Sequence, residues 1–191
     1  MPPKVKFDKE AIIDAAFDVA KKEGLTGITA RSVAARLGAS VAPIYVNFAT
    51  IDDLVIAVVE RIFSISEALL AKQKGKSIFE NIGKASLEFA REYPVLYQEL
   101  SIQPNPYMAS YEKIENNMIE AMAEDEMMRD WTLEERRQVF LKMRVFQMGL
   151  SAMVANGHVP SWMDNQGFDQ LLMEVGDDIL RAQLLKREEK L

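Results

Sequence analysis

Residues 29–48 read TARSVAARLGASVAPIYVNF. Thr29 is a residue of the N-cap type, Val33, Ala34 and Leu37 fall on one helical face, and Gly38 is a natural helix stop. Ser40 is read as the cap of a second short helix that runs to about Phe48. Pro43 suits it, because the third residue after a cap has no intrahelical partner for its N–H. Two short helices joined through Gly38-Ala39-Ser40 have the spacing of a helix-turn-helix, in which the second helix enters the DNA major groove. By spacing alone an ordinary αα corner fits about equally well.

Outward from this stretch the pattern stays helical. A first helix begins near Asp8, ends at Gly24 and turns Ile12, Ile13, Ala16, Phe17 and Ala20 to one side. A fourth begins after Thr50, carries Asp52 and Asp53 where the helix dipole favours them, and reaches about Lys74. Ser77 to Glu80 and Thr132 to Glu135 read as capping boxes of two further helices, ending near Tyr93 and at Asn156-Gly157. Pro94 breaks the helix that ends near Tyr93 or opens the next short one, Asn105-Pro106 opens another, and the last begins near Gly167. The tail from Lys186 is expected to fray. Period-2 strand patterns are missing, so the chain reads as all-α.

Composition narrows the function. The 191 residues are 49% hydrophobic, enough for a core, and carry a formal charge of −6. With no cysteine there is no thiolate nucleophile or thiolate metal site, and His158, the single histidine, leaves little for acid–base chemistry or a metal cluster. No run reaches the length of a membrane span, and MPPKVKFDKE lacks the apolar centre of a secretion signal, so a cytoplasmic protein is expected. Motifs such as G-x-S-x-G, a phosphate-cradling glycine loop or H-E-x-x-H are missing, and no enzyme is expected.

Ala15-Ala16, Phe17, Gly24, Gly27, Thr29, Val33-Ala34, Leu37-Gly38, Ser40, Ile44-Tyr45, Phe48 and Leu54 keep their spacing without a gap. In these residues the chain resembles the TetR family of bacterial transcription regulators. The resemblance implies an N-terminal three-helix helix-turn-helix domain, residues 1–54. A long helix joins it to a helical-bundle domain for ligand binding and dimerisation, residues 55–191. It implies DNA contacts from Thr29 and Arg31, from the cap Ser40, and from Val41, Ala42, Pro43 and Val46 facing the groove. Tyr45 and Asn47 match phosphate-contacting positions. The four apolar groove residues suit thymine methyls, and Arg31 suits phosphate or a guanine edge. Lys4 and Lys6 of the N-terminal arm complete the set. Asn47 stands where the family often has His or Tyr, and Ala49 to Asp53 lack the usual cation.

For the second domain the resemblance implies an effector pocket among the middle helices. Phe89, Tyr93, Tyr97, Tyr111, Met118, Met122, Phe140, Met143, Phe146 and Gln147 are its candidates, since deformable Met side chains suit a largely apolar ligand. Arg144 or Gln147 would orient a polar group. Gly149, Leu150, Ala152, Met153, Leu172, Val175 and Ile179 on the last two helices are the expected dimer contacts. The same side chains also suit an ordinary core. The expectation is a homodimeric repressor released from a palindromic operator by a small molecule, with no cofactor and no membrane. The alternative is a helical ligand-binding or protein-interaction module without specific DNA binding.

The acidic total is unevenly spread. Residues 1–48 hold seven basic and five acidic side chains, a net of +2, and the remainder holds sixteen and twenty-four, a net of −8. The negative charge belongs to the part expected to face away from DNA.

Overall fold

The structure is a computed structural model, and it describes residues 7–75, 77–107 and 111–189, without the side chains of 111–114. Lys4, Lys6 and the side chain of Tyr111 lie outside the described residues. All regular elements among the described residues are helical.

Helix α1 spans Lys9–Glu23 and starts where Asp8 accepts a hydrogen bond from Ala11 N at 2.8 Å. It ends at Gly24, whose φ of 79° and ψ of 175° suit glycine alone. A 3-10 turn, Leu25–Gly27, leads to α2, Ala30–Leu37. Gly38, left-handed at φ 65°, closes α2 with a Schellman pair, Gly38 N to Ala35 O at 3.2 Å and Ala39 N to Ala34 O at 3.0 Å.

Helix α3, Ala42–Asn47, begins one residue later than a cap at Ser40 predicts. Its cap position is Val41 in α geometry, and no side-chain cap bond forms. Ser40 is therefore not the cap of α3. Pro43 in the first turn needs no partner for its nitrogen, which lets the helix start without one.

Helix α4, Ile51–Lys72, is opened by a capping box. Thr50 Oγ1 accepts from Asp53 N at 3.1 Å, and Asp53 Oδ2 accepts from Thr50 N at 2.9 Å. At about 1.5 Å per residue its 22 residues run roughly 33 Å. Helix α5, Ile78–Glu92, is capped by Ser77, and Pro94 opens α6, Pro94–Tyr97, which continues into a π-helical turn, Gln98–Ile102. Helices α7, Tyr111–Ala121, α8, Leu133–Ala155, and α9, Asn165–Glu188, follow.

Two ends differ from expectation. Asp164, accepting from Gly167 N at 2.8 Å, starts α9 earlier than Gly167. Helix α9 continues past Lys186 to Glu188, where Arg187 bonds Glu135 and covers the Trp131 ring at 5.9 Å. Asn105 accepts from Tyr107 N at 3.2 Å, as a turn-starting Asx does, but residues 108–110 of the predicted helix lie outside the described residues.

The largest core cluster joins the two halves of the chain. Ile12, Ala16, Val33, Ile44 and Leu54 are fully buried in it together with Ala90 and Leu96. The boundary expected at residue 54 falls inside α4, so the halves share one core there. In the second half α5, α8 and α9 pack on one another around Leu87, Leu150, Phe168 and Leu172, and around Phe79, Met122, Met128, Trp131 and Phe140. No described helix is long and apolar enough to cross a membrane.

Candidate nucleic-acid interface and effector cavity

Helix α3 divides its residues sharply. Ile44 and Phe48 point into the core, with 0% and 4% of their surface exposed. Val41, Ala42, Tyr45 and Val46 face outward, with Val46 82% and Tyr45 54% exposed. Tyr45 and Val46 thus form an exposed, partly apolar patch on the outer side of α3. Pro43 and Asn47 are half-buried at its edge.

Asn47 Nδ2 donates to Pro43 O at 2.8 Å and reaches Phe7 O at 3.5 Å. That amide is occupied in tying α3 to the segment before α1. Thr29 is likewise occupied: its Oγ1 accepts from Ser32 N at 3.0 Å while Ser32 Oγ accepts from Thr29 N at 2.9 Å. This capping box holds the start of α2, with Ser in the place usually taken by Glu or Gln. Arg31, in the first turn of α2, is exposed and has no ion-pair partner among the described residues.

Three other cations, Lys21, Arg36 and Arg61, are bound internally. Asp18 joins Lys21 at 2.6 Å and Arg36 at 2.5 Å, and Arg61 joins Glu10 at 2.6 Å and Asp14 at 3.0 Å. Hydrogen bonds from Lys21 and then Arg36 hold the Asp18 carboxyl below its ordinary range. Three acids of the domain are thereby neutralised, and Asp53 is absorbed in the cap of α4.

A cavity of about 400 Å³ lies between α5, α8, α7 and the segment that follows α6. Its walls are Ser86, Tyr97, Leu100, Ser101, Gln103, Pro104, Asn105, Glu115, Arg144, Gln147 and Met148. Most of these carry polar groups, which differs from the Met and aromatic pocket that the sequence suggests. Of the expected apolar set only Tyr97 lines it, together with Gln147 and Arg144, the two residues expected to orient a polar group. Met118, Phe140 and Met143, again with Gln147, line an adjoining space of about 40 Å³.

The other expected pocket residues pack elsewhere. Phe89 stacks against Tyr93, centroids 5.3 Å apart, and Tyr93 against Phe17 at 5.7 Å, inside the core joining the two halves. Met122 is buried beside Phe79 and Phe140, and Phe146 packs on the Leu87 cluster. Aromatic and Met side chains at helical spacing are consumed in closing the bundle, leaving polar residues from the loop after α6 to face the cavity.

The sequence held no sign of Glu99. Its Oε2 accepts from Leu25 N at 2.6 Å, linking the π-helical turn to the 3-10 turn before α2. A Cβ on Gly24 would stand 2.7 Å from the same oxygen, so glycine is also what lets Glu99 approach. Asn105 Nδ2 donates to the carbonyls of Glu99, Leu100 and Gln103 at 3.0 to 3.1 Å. The cavity wall and the Glu99 link are thus one hydrogen-bonded unit. Tyr107 lies close by, its hydroxyl pKa raised by burial and then by the charges of Asp52 and Glu99.

On α8 the exposed apolar residues form a stripe. Leu141, Val145 and Met153 are 52%, 64% and 38% exposed, and Gly149 completes the four-residue spacing. Leu150 and Leu172, expected at a dimer interface, are spent inside the chain against Leu87 and Phe168. Ala152, Val175 and Ile179 are half-buried.

Residues 12–58 match the family model of bacterial regulatory proteins of the tetR family. No curated protein matches the chain. Among solved structures the chain is similar to a TetR-like transcriptional regulator from Rhodococcus sp. RHA1, 19% identical over 92% of this chain and 96% of that one, TM-score 0.63. It is also similar to the fatty acid degradation regulator FadR from Bacillus halodurans, 14% identical over 91% and 98%, TM-score 0.62. TetR from Acinetobacter baumannii AYE is 16% identical over 93% and 96%, TM-score 0.50. Residues 12–58 are thus similar to the tetR family of bacterial regulatory proteins, and over about nine-tenths of its length the chain shares the fold of TetR-like regulators.

Proposed function

We propose that this chain is a cytoplasmic homodimeric repressor that leaves a palindromic operator when a small molecule enters the cavity beside α6. The outward face of α3 is the observation that carries this reading. Val41, Ala42, Tyr45 and Val46 stand in water on a domain that buries its other apolar residues well, with Arg31 exposed on the neighbouring helix. Apolar groove residues read thymine methyls, Tyr45 and Arg31 supply phosphate or base-edge contacts, and paired half-sites follow from a two-fold dimer. Thr29, Ser40, Pro43 and Asn47 border the contact. The stripe Leu141, Val145, Gly149 and Met153 is the dimer surface, together with neighbouring residues of α9.

Effector and operator oppose each other through the Glu99 link. A ligand that reshapes the wall formed by Ser101, Gln103 and Asn105 displaces Glu99, and with it the turn that positions α2. By linkage the operator weakens effector binding by the same factor. Gel-shift titration of the purified protein against its own upstream DNA tests the reading. A salt-sensitive preference for that DNA over unrelated duplex supports it, and equal binding of both overturns it.

A further inference from the structure

We propose that the cavity takes a small organic carboxylate, whose carboxyl group replaces that of Glu115 on Arg144. The inference rests on the cavity being the effector site and names the class of its ligand. Arg144 is the only cation among the lining residues. It stands on α8, and its Nη1 meets Glu115 Oε1 of α7 at 2.7 Å. With about a quarter of each side chain exposed, the pair is partly withdrawn from water, where an anion beside the guanidinium is favoured. Glu115 supplies that anion from within the chain. A ligand carboxylate has the same charge, the same planar shape and the same pair of acceptor oxygens.

Further donors favour an anion at this point. Ser86 Oγ accepts from Gln147 Nε2, so its own hydroxyl proton points to another acceptor, and Ser101 adds a second hydroxyl to the wall. Arg144 and Gln147 also border the smaller adjoining space, whose other walls include Phe79, Met118, Phe140 and Met143. A ligand whose head meets Arg144 can therefore lay an apolar body along Met side chains that yield to its shape.

An amine would have to exchange the other partner, removing Arg144 from Glu115. Arg144 belongs to a 23-residue helix packed between α5 and α9, whereas α7 packs chiefly on α8. Glu115 is the side that gives way. A second ion pair, Arg136 with Glu120 at 3.7 Å, still holds α7 against α8 when Glu115 is released.

The experiment uses the full chain and two ligand shapes, hexanoate and 3-phenylpropionate, each beside its amide and its amine. Thermal shift and calorimetric titration are run on wild type, Arg144→Gln and Glu115→Gln. At least one carboxylate is expected to raise Tm and bind, with its amide weaker by about tenfold or more, the scale of a missing charge-assisted bond. Arg144→Gln weakens the carboxylate to a similar degree, and Glu115→Gln, which removes the internal competitor, tightens it several-fold. Binding of the amines in preference, or carboxylate binding indifferent to Arg144→Gln, overturns the assignment. Should Arg144→Gln not fold, the Glu115→Gln arm decides: an unchanged or weaker carboxylate affinity overturns it. The same wild-type preparation is titrated with DNA. Preferential DNA binding with indifference to both carboxylates overturns the ligand class alone. No preferential DNA binding overturns the regulator reading instead.

Discussion

Glu99 Oε2 accepts the backbone N–H of Leu25 at 2.6 Å, across 74 residues of sequence. The acceptor stands in the π-helical turn beside the cavity, and the donor opens the turn that leads into the helix-turn-helix. The hydrogen bond is charge-assisted and partly buried, a class that contributes about 1.5 to 3 kcal/mol. Glu99→Ala is expected to cost stability on that scale, measured by urea unfolding. It should also lower the factor by which ligand weakens DNA binding, with little change of DNA affinity in the absence of ligand.

Gly24→Ala probes the other side of the same hydrogen bond. The backbone there occupies a region that glycine alone visits readily, and the new Cβ would meet the Glu99 carboxylate at 2.7 Å. A destabilisation of about 1 to 3 kcal/mol is expected from the backbone strain, with more where Glu99 is pushed away. Combining Gly24→Ala with Glu99→Ala should cost less than the two singly added, because they act on one shared interaction. Strict additivity in a double-mutant cycle would show that the two positions are not coupled.

Stability should also depend on pH through Asp18. Lys21 and Arg36 hold its folded-state pKa below the ordinary 3.8. A depressed carboxylate pKa stabilises the fold above the unfolded value, and that gain disappears as pH falls through the folded value. Asp18→Asn is therefore expected to cost up to about 1 kcal/mol at neutral pH, the range for exposed ion pairs. The gap to wild type should close as the pH is taken below 3.8. A gap that persists there would assign the effect to packing instead.

Much of this architecture is visible in residue types. Asp8, Thr29, Thr50, Ser77 and Thr132 cap helices where their side chains suggest, because a cap is a local hydrogen bond. Gly38 stops α2 for an equally local reason. Ser40 misleads because a proline-led helix needs no side-chain cap, so α3 starts at Ala42. The cavity is largely hidden in the sequence. Arg144 and Gln147 are visible as polar candidates, but Ser86, Ser101, Gln103, Asn105 and Glu115 are scattered over three parts of the chain with no spacing to announce them. The conspicuous Met and aromatic residues are mostly the ones the core needs. Glu99 is one acid in an ordinary QELSI run, and only the tertiary fold brings it to Leu25.

The stripe on α8 makes its own prediction. Val145→Glu places a charge in the middle of Leu141, Gly149 and Met153 while changing a side chain that is 64% exposed. The folded chain should tolerate it, with an unchanged helical circular dichroism spectrum. Light scattering should find a monomer in place of a dimer, and operator affinity should fall steeply as the paired half-sites are no longer read together.

The outer face of α3, together with Arg31, is the surface that reads DNA in the proposed function. Its most direct measurement is enrichment of duplexes from a random pool by the full chain, followed by anisotropy titration of the winner with wild type, Arg31→Ala and Tyr45→Ala over a range of salt. The expected result is an enriched palindrome with half-site centres about one helical turn, or a multiple of it, apart. Both variants are expected to bind it more weakly, and Arg31→Ala alone is expected to make the salt slope shallower, by about one if it neutralises a phosphate. A pool that yields no enriched sequence, or an enriched site bound equally well by both variants, would contradict it.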